Sequence, residues 1–202
     1  MRHSAIVRLT HWTNVLSFAG LLVSGIAILL VHPRLYWGET GSVVTPALIE
    51  LPLPFVFNGQ NGWGRSLHFL SAWVSIANGV IYVASGLVTQ HFRRNLLPGA
   101  ARPARTISYS VPQQLAYLSV VFVLLPLTIW TGFAMSPALT SVCPALATLA
   151  GGRQSARTIH FFVAAVLVVF LAGHVAMVAL SGFTRQVWAM ITGQPLVEKG
   201  EA

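Results

Sequence analysis

Four long apolar runs, separated by clusters of polar and turn-forming residues, set the plan of the chain. They cover about residues 11–31, 64–89, 114–135 and 158–180, and each meets the roughly 20 residues that a helix needs to cross a bilayer. Lipid offers the backbone no hydrogen-bond partner, so each run is predicted to be an α-helix. Pro126 lies inside the third run and predicts a kink. Gly182 to Gly193 is shorter and amphipathic, with Trp188 as an anchor, and is expected to lie in the interface. Residues 136–152 read as a short connection. The segment between the first two runs is long and rich in glycine, proline and aromatics (Tyr36-Trp37, Pro52-Leu53-Pro54-Phe55, Asn58-Gly59). A structureless loop of that length is uncommon unless it does something, so it is expected to follow the interface or cap the bundle.

Of the 202 residues, 55% are hydrophobic and 8% charged, against about 25% charged in a soluble domain. The prediction is an all-α integral membrane protein, one four-helix bundle spanning residues 1–202. The net charge of +8 raises nucleic acid as a partner, but the arginines are scattered beside the apolar runs, as membrane-flanking residues are. The lone Cys143 excludes an intrachain disulfide, and the missing C-x-x-C-H excludes covalent c-type haem. No A-x-A-like cleavage site follows the first run, which is long enough to stay as a span. With both termini inside, eight of the twelve basic residues fall on the inner side, and Arg34, Arg65, Arg153 and Arg157 on the outer. The positive-inside rule therefore predicts cytoplasmic termini and a multi-pass protein of the cell inner membrane.

Ionisable side chains within a span are costly and mark a functional site by default. The fourth run carries two, His160 and His174. They are fourteen residues apart, which places them roughly 21 Å apart along a helix and only about 40° around it. The topology sets His68 level with His160 near the outer side and His11 with His174 near the inner side. His174 is more deeply placed than His11 if both helices run straight, so the fourth helix is expected to tilt or to extend past the membrane edge. Paired neutral imidazoles without a carboxylate are the axial ligands expected of a b-type haem, whereas zinc calls for cysteine, carboxylate or a polar open site. The plain alternative is four histidines satisfied by bonds between helices. His3, His32 and His91 read as terminal or interfacial.

Three of the four follow an arginine by three residues: Arg8 and His11, Arg65 and His68, Arg157 and His160. That spacing puts both side chains on one helix face with the arginine a turn nearer water. The guanidinium is then placed to pair with a haem carboxylate while the histidine holds the iron. Small residues leave room for a flat macrocycle. Gly25, fourteen residues after His11, is a candidate where the outer haem would pass, although small residues also simply let membrane helices pack.

Arg8-Leu-Thr-His11-Trp12, Leu22-Val-Ser24-Gly25, Gly64-Arg65-Ser-Leu-His68-Phe69 and the His160…His174 pair resemble the prokaryotic cytochrome b561 family. The likeness extends over all four spans and the closing segment. It is nearest to the branch with the cytochrome b (gamma) subunits of formate dehydrogenases and the thiosulfate-reductase and nickel–iron-hydrogenase cytochromes. The resemblance implies a bundle with two haem b groups and electron flow between a periplasmic redox subunit (molybdenum, iron–sulfur or hydrogenase type) and quinone, menaquinone or ubiquinone, at the cytoplasmic side. It also implies a quinone site with a Y-N-x-x-Q pattern. The matching stretch is Tyr109-Ser110-Val111-Pro112-Gln113, with serine in place of asparagine and a proline added; a polar cap on the third helix is the other reading.

The expected role is an electron-transfer and membrane-anchor subunit. No buried carboxylate pair or nucleophile–base set is evident, and the four acidic residues lie outside the spans. Two alternatives stand beside it. One is a free-standing, quinone-linked dihaem oxidoreductase that uses a small oxidant or superoxide, and the other is a small transporter with histidine relays, which predicts a colourless protein.

Overall fold

The computed structural model describes residues 4–42, 44–53, 62–89 and 111–194, with side chains in the last stretch from residue 115 onward. Among them, four helices are long and apolar enough to cross a membrane: Ala5–Val31, Gly62–Val88, Leu115–Met135 and Arg153–Leu180. The chain is thus a multi-pass membrane protein. Its surface fits this solvent, since Leu16, Val23, Leu70, Val80 and Val169 all face outward. The buried positions of the first two spans are small or polar instead, among them Ser17, Ser24, Ser71, Gly86 and Asn78. Lipid is as apolar as leucine, so close approach and hydrogen bonds draw such helices together.

Helix α1 (Ala5–Val31) starts on a Ser4 cap whose hydroxyl accepts from the Val7 amide. It packs along α2 (Gly62–Val88). A Cβ at Gly20 would strike the Ser71 side chain, so glycine permits this contact. Asn78, buried on α2, donates to Thr10 O and Asn14 Oδ1, both at 2.8 Å. The third span is composite. Helix α3 (Val111–Ser119) passes through a π-helical turn (Val120–Leu124) into α4 (Leu125–Met135). Pro126 has no N–H and its ring crowds the carbonyl four residues back; the wider turn just before it absorbs the misfit, and the Leu125 amide reaches back to Val120 O. The proline therefore produces a π-turn upstream of itself.

Residues 136–152 are more ordered than a plain connection: α5 (Pro137–Val142) and α6 (Ala145–Thr148) lie within them. Helix α7 (Arg153–Leu180) is the fourth span and packs along α4. The last helix, α8 (Phe183–Thr192), is bounded by Gly182 and Gly193, both at positive φ. The tight spanning pairs are α1 with α2 and α4 with α7, and the backbones of these two pairs hardly approach one another.

The segment after α1 caps the bundle. Strands β1 (Arg34–Leu35) and β2 (Ile49–Glu50) pair antiparallel, Arg34 opposite Glu50. Leu35 and Tyr36 are buried. The Tyr36 carbonyl accepts from Thr158 Oγ1 at 2.6 Å, Ser155 Oγ accepts from the Gly38 amide at 2.7 Å, and Gly38 O accepts from the amides of Gln154 and Ser155. The loop thereby satisfies donors that the first turn of α7 leaves open. Glu39 adds a carboxylate acceptor for the Arg153 amide at 3.1 Å, where the helix dipole favours negative charge.

A candidate dihaem centre

The helix bounds set the register of the inner pair. Helix α1 begins at Ala5, so His11 stands six residues inside it, and His174 stands six residues before the end of α7 at Leu180. The two inner histidines therefore stand at matching positions in their helices. His68 lies six residues into α2 and His160 seven into α7.

Across the gap between the two helix pairs the imidazoles face each other in twos. The ring centroids of His68 and His160 are 6.2 Å apart, and those of His11 and His174 6.5 Å apart. Metal–imidazole bonds are about 2 Å, and a ring centroid lies about 1 Å behind its donor nitrogen. Two imidazoles sharing one ion therefore have centroids roughly 6 Å apart. Direct hydrogen bonding between the rings would bring them closer. Among the described residues no group of three or more His, Cys, Asp or Glu side chains comes together, so each pair offers two donors, as a macrocycle supplying the other ligands requires.

The outer pair has its tautomers fixed. Ser24 Oγ gives its proton to Gly20 O at 2.5 Å and lies 3.0 Å from His68 Nδ1. The serine therefore accepts, and Nδ1 carries the hydrogen. His160 Nδ1 lies 3.1 Å from Thr128 O and 3.0 Å from Thr131 Oγ1, whose own proton goes to Leu127 O at 2.8 Å. A carbonyl can only accept, so this Nδ1 is protonated too. In both rings Nε2 is left as the lone-pair nitrogen. Ligating histidines commonly donate their other N–H in this way.

Glycine follows the hydroxyl residue in both cases. A Cβ at Gly25 would come 3.9 Å from His68 Cε1, and one at Gly132 3.8 Å from His160 Cε1. Sequence reasoning noted Gly25 but missed Thr128, Thr131 and Gly132; the repeated dipeptides Ser24-Gly25 and Thr131-Gly132 were the available signal. The inner rings have aromatic neighbours: Trp12 meets His11 edge to face at 5.4 Å, and Phe170 stacks on His174 at 6.5 Å.

The three arginines divide. Arg65 and Arg157 converge on His32 at the outer mouth: Arg65 lies 3.2 Å from His32 Nε2 and Arg157 donates to the His32 carbonyl. The two described glutamates are taken by other arginines, Glu50 by Arg34 and Glu39 by Arg153. Neither Arg65 nor Arg157 has a carboxylate partner among the described residues. Burial, then Arg157 and Arg65 beside it, hold His32 below its ordinary pKa, so at neutral pH its Nε2 accepts from Arg65. His32, at the end of the first span, thus joins the two arginines. Arg8 instead donates to Ile191 O at 2.6 Å and, with Trp12 Nε1 on Met190 O at 3.1 Å, ties down the end of α8. Tyr109 and the side chain of Gln113 lie outside the described residues, as do His3 and His91. Cys143 is exposed.

The family model described as prokaryotic cytochrome b561 matches residues 2–193. A putative protein-methionine-sulfoxide reductase subunit, YedZ1, from Azospira oryzae is 28% identical over 211 residues, covering 95% of this chain and 96% of that protein. No solved structure matches.

Proposed function

Since the chain belongs to the prokaryotic cytochrome b561 family, we propose that it is a dihaem b-type cytochrome that carries electrons across the membrane. His68 and His160 hold the outer haem, and His11 and His174 the inner one. The observation that carries this reading is the pair of facing imidazole couples, at 6.2 and 6.5 Å, in the gap between two helix pairs.

A haem held at each pair would supply one-electron exchange between ferric and ferrous iron. The chain's own residues do the rest. Ser24, Thr128 and Thr131 hold the outer ligand rings in the tautomer that presents Nε2. Arg65 and Arg157 are placed to neutralise carboxylate tails at the outer edge, where guanidinium–carboxylate bonding is strong.

The termini are assigned to the cytoplasm by the excess of basic residues on that side. Electrons then pass between a periplasmic redox subunit at the outer pair and quinone at the inner pair. The relative's name, a reductase subunit, supports a partnered role. So does the outer cap, which leaves Trp37, Val44, Leu48, Val142 and Leu149 exposed. The test is a reduced-minus-oxidised spectrum with pyridine hemochrome quantitation: two b haems per chain are expected, and a colourless protein would favour a histidine-relay transporter.

A further inference from the structure

His32 lies where the two helix pairs meet at the outer mouth. It directly follows Val31, the last residue of α1, whereas Arg65 belongs to α2 and Arg157 to α7. The imidazole engages the first arginine and the carbonyl the second. Each arginine precedes an outer ligand histidine by three residues, so each shares that histidine's face, one turn nearer the outer side. His32 is therefore one side chain removed from both turns that flank the outer pair. It is also exposed, so its ring exchanges protons directly with the outer water.

The charge around the ring is unbalanced. From α2 and α7 it meets the guanidiniums of Arg65 and Arg157. The other charged groups of the cap are engaged with one another, Arg34 with Glu50 and Arg153 with Glu39, and Tyr36 acts on Arg157. Arginine keeps its charge at any ordinary pH, so His32 is the member of this cluster whose charge changes near neutrality. Burial and the two guanidiniums hold its pKa below the usual histidine value. Negative charge arriving within a Debye length, about 10 Å, offsets those guanidiniums and raises the ring's proton affinity.

We propose that His32 is the proton partner of the outer redox centre, taking up one proton from the outer water when an electron reaches the haem held by His68 and His160 and releasing it when the electron leaves. The proposal rests on the dihaem reading. The electron comes from a quinol by way of the inner site or from the periplasmic redox subunit. The proton enters the Nε2 lone pair. That nitrogen then accepts nothing from Arg65, whose guanidinium is left free for a carboxylate.

The test is an optical redox titration of the purified, haem-loaded protein in nanodiscs, repeated between about pH 5 and about pH 8. The wave that survives in His174→Ala identifies the outer haem. In the parent its potential should fall as pH rises, at its steepest by about tenfold in the electron equilibrium per pH unit, or about 59 mV. His32→Gln should flatten that slope and leave the inner haem's slope as it is in the parent. His32→Lys carries a permanent charge and should hold the outer potential near the parent's acid value at every pH. An outer potential independent of pH in the parent overturns the proposal and leaves the dihaem reading standing. So do equal outer slopes in the parent and His32→Gln, or a His32→Lys potential at the parent's alkaline value. A colourless parent protein overturns the dihaem reading itself.

Discussion

Ser24 of α1 accepts the Nδ1 proton of His68 of α2 at 3.0 Å, while its own proton is spent on Gly20 O at 2.5 Å. The serine can play only one part toward the imidazole, and that part presents Nε2 to the gap. Losing a partner of this kind commonly costs about 10- to 100-fold in metal affinity or activity. Ser24→Ala should therefore keep the bundle and both haems at saturation, but release the outer haem about tenfold more readily. Haem transfer to apomyoglobin measures this, and an unchanged release rate would show that the serine does not position the ligand.

Gly152 caps α7 at φ +107° and ψ 168°, a conformation open essentially to glycine. A Cβ there would also strike the Gly38 carbonyl, which accepts from the amides of Gln154 and Ser155. Gly152→Ala should destabilise the folded protein by about 2 kcal/mol or more and loosen the outer cap. Thermal unfolding in detergent, with proteolysis of the 32–53 segment, reads both effects.

The packing of α1 on α2 gives a paired comparison. A Cβ at Gly20 meets the Ser71 side chain at once, whereas one at Gly79 meets nothing within 4 Å. Gly20→Val should lower thermal stability clearly, and Gly79→Val should change it little. Equal effects would mean that the two helices do not pack through Gly20.

His32 sets a pH dependence. Burial and the two arginines depress its folded pKa below the ordinary histidine value of 6.5, so the unfolded chain binds the proton more readily than the folded one. Its stabilising contribution is present above pH 6.5 and is lost as pH falls from there through the folded pKa. His32→Gln keeps a polar side chain without that titration, so the fall in melting temperature between pH 7 and pH 5 should be shallower in the variant. A slope identical to the parent's would remove His32 from the account.

The four spans and the family were legible in the sequence, because lipid imposes length and apolarity on any helix that crosses it. Helix starts were less so. Ala5-Ile6-Val7 read as a flank because Arg8 interrupts the apolar pattern, yet Arg8 stands inside its helix. The facing of His68 with His160 followed from a fourteen-residue spacing and an orientation rule. What holds those rings did not, since Ser24, Thr128 and Thr131 act through neighbouring helices and carry no spacing of their own along the chain. The fate of Arg8 was hidden for the same reason: its partner, Ile191, lies 183 residues away.

The central claim is that two imidazole couples each grip one haem. Pyridine hemochrome stoichiometry in His68→Ala and His174→Ala tests it most directly. Each variant should keep one b haem where the parent has two, and the two surviving haems should differ in midpoint potential, since each comes from a different site. Full pigment with an unaltered spectrum in either variant would contradict the assignment.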